Sequence, residues 1–163
     1  MGVTYKTLKT DREWKSNTGL SESEFHHLAR AYGSAYESVH LSNITERQSN
    51  STQESIFKTY EDQLFFVLFS LKTGLTYDSL GFVFGCSQSI AKINQDYFLK
   101  ILEVALHQSG AMPRREFSTL DDFWSYFQSQ KTLILDGTEQ AIQRPKDQTL
   151  QKEHYSGKKK TYR

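Results

Sequence analysis

Apolar residues recur at helical spacing through the first two thirds of the chain and then give way to a compact aliphatic run. From Leu20 onward, Phe25, Leu28, Ala29, Tyr32, Tyr36 and Val39 repeat every three or four positions, a single stripe on one helix. Ser21 is placed to cap it, and Glu24, three residues on, to close a capping box. The helix is expected to end near His40. Residues 41–55 are mostly Ser, Asn, Thr and Gln, and read as a surface linker.

A second helix is expected from about Ile56 to Leu71, with Ile56, Tyr60, Leu64, Val67, Leu68 and Leu71 inward and Gly74 as its stop. Thr76 can cap a short third helix, YDSLGFVF, that finishes at Gly85. Ser87 can cap a long fourth reaching His107. Its inward face is expected to be Ile90, Ile93, Tyr97, Ile101, Val104 and Ala105. After Gly110 and Pro113 the period changes. Ser118 or Thr119 opens a short helix, TLDDFWSYF, and Thr132 to Leu135 is an aliphatic run ending in Asp136-Gly137, the pattern of a buried strand that leaves a sheet at a turn. EQAIQRP is a candidate for a further extended piece, and residues 146–155 are polar without a clean period.

Composition narrows the classes. With 163 residues there is room for one ordinary domain, or a small helical domain and the opening of a second. No apolar run approaches the roughly 18 residues of a membrane span, and the best, Leu64 to Leu71, stops at Lys72. The start, MGVTYKTLKTDREW, has no apolar core of a secretory signal, so a cytoplasmic location is expected. A lone cysteine, Cys86, leaves neither an internal disulfide nor a paired-cysteine zinc site. The net charge of +1 conceals an asymmetry: residues 144–163 hold seven Lys or Arg against Asp147 and Glu153. Such an end can hold phosphates by counterion release, or can be a solvated tail.

Two stretches carry candidate chemistry. In LGFVFGCSQSIAKI, residues 80–93, Gly81 is a small residue where two helices can cross, Gly85 sits at the sharp turn, and Cys86 seals the corner. That is the requirement of a helix-turn-helix, whose second helix offers its first residues to base edges and phosphates of the major groove. Ser87, Gln88, Ser89 and Lys92 occupy those positions. A plain helical hairpin satisfies the same spacing, and the charges of Asp78, Lys92, Asp96 and Lys100 cancel. In TLILDGTEQAIQRP, Asp136 at the end of a strand is a rigid place from which to hold Mg²⁺, which prefers oxygen ligands. It equally suits a turn aspartate. The histidines suggest no other enzyme: His26 and His27 are adjacent on a helix and cannot face one ligand, and His40, His107 and His154 lie at helix ends or in polar sequence.

The segment LFFVLFSLKTGLTYDSLGFVFGCSQSIAKI is similar to the helix-turn-helix of insertion-sequence-five transposases, and LILDGTEQAIQRPKDQTLQKEHYSGKKK resembles the start of the DDE endonuclease domain of that family. Together they cover roughly residues 18–160. The resemblance implies a mainly α fold: a helical helix-turn-helix N-terminal domain followed by a truncated α/β RNase H-like start with one or two strands. It divides the chain into an N-terminal extension (1–17), a DNA-binding domain (18–112, with the helix-turn-helix at 76–107) and an incomplete catalytic-domain start (113–163). It implies that the first domain binds double-stranded DNA at terminal inverted repeats, and that a core holding Mg²⁺ through Asp, Asp and Glu cuts and rejoins DNA. Asp136 matches the first Asp, as catalytic residue and metal ligand. Gln88, Ser89 and Lys92 match the exposed start of the recognition helix, with Ser87 at its cap. Lys158, Lys159 and Lys160 match a basic stretch placed for phosphate contact.

Ile90 and Ala91 depart from the commoner Thr and Val of the motif, and Asn94 stands where an apolar residue is usual. The second Asp and the Glu have no counterpart, so the chain alone is not expected to be active. Three consecutive lysine codons near the end are rich in adenine, a setting for ribosomal slippage into a second reading frame. Three functions follow: the N-terminal part of a transposase, completed in another frame; a non-catalytic product that occupies the repeats and represses transposition, or a decayed fragment; or a helical scaffold unrelated to DNA. Partnership with DNA, and with a second copy or a second-frame continuation, is expected, bacterial and nucleoid-associated, with no membrane.

Overall fold

The computed structural model of the chain describes residues 2–52, 54–130, 132–134, 143–156 and 161–162. Two compact units form, Met1–Arg114 and Arg115–Arg163.

Polar caps start the helices of the first unit. Thr10, Ser21 and Asn43 open α1 (Asp11–Thr18), α2 (Glu22–His40) and α3 (Ile44–Ser49), each in a capping box closed by the Glu at the third helical position. The expected box of Ser21 and Glu24 is present, and Phe25, Ala29, Tyr32 and Tyr36 line the buried face of α2. Residues 41–55 are not a plain linker, because α3 lies within them. The Asn43 side chain accepts from the Glu46 N–H at 2.9 Å, and Ile44 is buried, its N–H donating to the Tyr60 hydroxyl at 3.1 Å. A six-residue helix with one inward side chain leaves no period in the sequence. Residues 4–18 add a 3-10 turn, Tyr5–Thr7, and α1, whose Trp14 is buried with its ring 5.0 Å from that of Phe25.

The middle of the unit is α4 (Tyr60–Thr73), packed against α1, α2 and α6 (Gln88–Gln108). Gln63, Leu64, Phe65, Phe66 and Val67 are consecutive and all buried. That corrects the one-sided face expected for this helix: neighbours on several sides bury successive positions, whereas Ile56 and Leu71 stay exposed. The residue that turns inward before the helix is Phe57, which meets Phe66 at 4.7 Å and Phe98 at 5.3 Å between ring centroids. Phe84 joins from α5 (Tyr77–Phe84), 4.8 Å from Phe66. Such tilted and edge-on aromatic pairs add to the burial of their area. The buried amide of Gln63 accepts from the Tyr32 hydroxyl at 3.2 Å.

The phase of α6 also differs from expectation. Ile101 and Ala105 are buried as read from the sequence, but their companions are Ala91, Phe98 and Leu102, while Ile90 and Ile93 are exposed. The helix carries two overlapping apolar stripes. The one chosen puts small Ala91 near the crossing with α5 and Phe98 into the aromatic cluster.

In the second unit, Thr119 caps α7 (Leu120–Phe127), and Phe117 packs on Phe123 at 5.2 Å. Thr132, Leu133 and Ile134 form no strand, in contrast to expectation, and Leu135 lies outside the described residues. A strand exists only against a partner, and among the described residues no segment pairs with them. The polar stretch after 146 instead forms α8 (Gln148–His154), capped by Asp147, leading into an antiparallel pair of two-residue strands, β1 (Tyr155–Ser156) and β2 (Thr161–Tyr162). The fold is mainly α, as expected, and no helix among the described residues is long and apolar enough to cross a membrane.

Removing the ring at the centre of the cluster is expected to be severe: Phe66→Ala should cost about 3–5 kcal/mol, whereas Leu71→Ala on the same helix should stay within about 0.5 kcal/mol. Urea unfolding followed by circular dichroism measures both, and equal losses would contradict the central position of α4.

Candidate nucleic-acid interface

The corner between α5 and α6 is built from backbone constraints. Gly74 ends α4 at φ 62°, and the Thr76 side chain accepts from the Ser79 N–H to open α5. Gly85 ends α5 at φ 72°, a left-handed conformation that costs an L side chain about 1 kcal/mol or more. The chain doubles back so that the Cys86 N–H donates to the Gly81 carbonyl at 2.8 Å. A Cβ on Gly81 would stand 2.5 Å from the Cys86 carbonyl oxygen and 3.3 Å from the Gln88 nitrogen, so only glycine admits this crossing. Cys86 is half-buried against the core, and burial pushes its thiol pKa up, as suits a packing residue and not a nucleophile.

The N-terminal residues brace the same corner, a contact that sequence reasoning missed. The Val3 N–H donates to the Val83 carbonyl at 3.1 Å, and a Cβ on Gly2 would lie 2.3 Å from the Phe84 oxygen. Backbone-to-backbone contacts of this kind carry no side-chain signature, so only Gly2 could have hinted at them.

Ser87 caps α6, its oxygen accepting from the Ile90 N–H at 3.3 Å, which leaves its own O–H free to turn outward. Gln88, Ser89 and Lys92 are exposed and gathered on the first turns of α6. The burial of Ala91, Phe98, Ile101 and Leu102 fixes which side of the helix points away: at 3.6 residues per turn, Ser89, Lys92, Ile93, Asp96, Lys100 and Glu103 form the outermost stripe, with Gln88 on one flank and Ile90 on the other. Asp96 and Lys100 are thus members of the outward surface not singled out from the sequence, and Ile93, expected inward, is another. The spacing of the polar residues Ser89, Lys92, Asp96 and Lys100 was a signal for that stripe, masked by the competing run of isoleucines. Lys92 and Lys100 against Asp96 and Glu103 leave the stripe neutral. Hydrogen bonding and shape therefore have more to do there than charge.

Further along α6, the Tyr97 hydroxyl and His40 Nε2 lie 2.6 Å apart in a hydrogen bond that ties the end of α2 to this helix. Asp136 and Lys158, Lys159 and Lys160 lie outside the described residues. Among the described residues no three His, Cys, Asp or Glu side chains come together as a metal site.

The corner makes a sharp contrast between two glycines. Gly74→Ala meets nothing within 4 Å and should cost only the left-handed strain, about 1 kcal/mol. Gly81→Ala must move backbone and should cost about 1–3 kcal/mol or more, with loss of DNA affinity at temperatures where the variant is still folded. Thermal unfolding with a parallel binding assay separates them. Equal costs would mean that the crossing is looser than described.

Residues 59–107, which contain α4, α5 and α6, match a family model described as the helix-turn-helix of DDE superfamily endonuclease. No curated protein and no solved structure shows significant similarity to the chain. The three helices, the glycine corner and the exposed first turns of α6 are the parts that such an element requires, and the segment 59–107 is similar to the helix-turn-helix of DDE superfamily endonucleases.

Proposed function

We propose that this chain is the DNA-reading part of a DDE transposase, and that α6 enters the major groove of the element's terminal inverted repeats. The observation that carries the reading is the corner itself: Gly81 and Gly85 hold α6 so that Gln88, Ser89 and Lys92 project together from its first turns, within a segment of the matching family. Gln88 can bond an adenine edge in two-point fashion, Ser89 a base edge or phosphate, and Lys92 a guanine or phosphate. The firmly packed platform of α2 and α4 beneath α6 keeps those side chains from spending binding energy on ordering the helix.

The catalytic half of the proposal rests on the resemblance at Asp136, read as one carboxylate of a Mg²⁺ site, and on Lys158, Lys159 and Lys160, read as phosphate contacts. Two-metal phosphoryl transfer requires several converging carboxylates. This chain's contribution is therefore proposed as positioning DNA, with Asp136 as one ligand toward the metal.

The test is a salt titration of the full chain on the terminal repeats that flank its own gene, against scrambled duplexes. Preference for the repeat is expected. Gln88→Ala should lose about 1–3 kcal/mol on the repeat only, while Lys92→Ala should weaken both duplexes and flatten the salt slope by about one. Equal affinity for repeat and scrambled DNA, unmoved by either variant, would remove α6 as the reading element.

A further inference from the structure

Ile93 is the large apolar side chain of the outward stripe of α6, 66 % exposed between Lys92 and Asp96 and one turn beyond Ser89. Its exposure is a consequence of the phase of the helix. Burying Ala91 and Phe98 leaves Ile93 on the far side from the core, and no packing within the first unit accounts for an isoleucine there. Its neighbours on the stripe are polar, as a surface that meets base edges requires. The near cancellation of charge along the stripe means that phosphate attraction alone gives this face little hold on DNA. In the major groove the only apolar group presented by a base pair is the thymine 5-methyl, and an exposed aliphatic side chain on a groove-facing helix is its natural complement.

We infer that Ile93 is a specificity-determining residue, reading a thymine through its methyl group, and that a T·A pair lies within the step of DNA faced by the second turn of α6. This rests on the proposed docking of α6 in the major groove. Ile90, at 43 % exposure, lies on the flank of the stripe and serves as the comparison position.

The experiment replaces thymine with deoxyuridine, which keeps every hydrogen-bonding group of the groove edge and removes the methyl alone. Duplexes are selected by the full chain from a randomised pool, and each thymine of the selected sequence is then replaced in turn. For the unaltered chain, deoxyuridine at one or two positions should weaken binding about four-fold, the effect of one buried methyl-sized group. Ile93→Ala should bind the thymine and deoxyuridine duplexes equally, and Ile90→Ala should keep the difference. Ile93 is exposed, so its truncation leaves the fold intact, which circular dichroism of the variant checks. The inference is overturned if the selected sequence holds no thymine, if no replacement changes affinity, or if the difference persists in Ile93→Ala. In those cases selective binding still stands and with it the proposed function. If no sequence is selected from the pool, both are overturned.

Discussion

The approach of α5 to the turn that follows it governs the direction of α6. At Gly81 two stretches of backbone come so close that a single methyl group would collide with the Cys86 carbonyl. Backbone cannot yield as a side chain can, so this contact sets the angle at which α6 departs. Gly85 in its left-handed conformation makes the reversal, and the bond from the Cys86 N–H to the Gly81 carbonyl closes it. Once the angle is set, the cap at Ser87 and the burial of Ala91 decide the rotation of α6, and rotation decides which side chains face outward.

The aromatic cluster transmits that constraint to the rest of the first unit. Phe84 is the last helical residue of α5, and its ring lies among Phe57, Phe65, Phe66 and Phe69. Phe98 brings α6 into the same cluster. A shift of the corner would therefore have to repack rings supplied by α4, α5 and α6 together, and interiors at close-packed density resist such movement. The contact of Gly2 and Val3 with the corner adds a brace from the opposite end of the chain. A rigid platform of this sort suits recognition: little ordering remains to be done when the outward residues of α6 meet a ligand.

Electrostatics separates the two ends of the chain. The outward stripe of α6 is neutral, with Lys92 and Lys100 against Asp96 and Glu103, whereas the last twenty residues carry an excess of Lys and Arg. Non-specific attraction to a polyanion scales with the number of phosphates neutralised, so under the proposed function the basic end would hold the backbone and the helix would discriminate between bases. An apolar side chain on the stripe fits that division, because it gains from a base edge and nothing from a phosphate.

Much of the first unit was legible in the sequence because its signals are local. Ser21 with Glu24, Thr76, Ser87, Gly74 and Gly85 mark helix ends through hydrogen bonds and dihedral preferences that operate within a few residues, and the helices begin or stop there as read. Gly81 likewise declared the crossing. The rotation of α6, the burial of α4 on several sides, the helix hidden in residues 41–55 and the bracing by Gly2 and Val3 were decided only by tertiary packing. Each depends on which neighbours arrive from distant parts of the chain: a helix with two apolar stripes has no internal reason to prefer one. The run Thr132–Ile134 makes the same point in reverse: such a segment becomes a strand only where another strand supplies its hydrogen bonds, and among the described residues none does. The sequence by itself determined where helices begin and end, because caps and glycines act locally. The tertiary structure decided which of their faces are left for recognition, because burial is a property of neighbours.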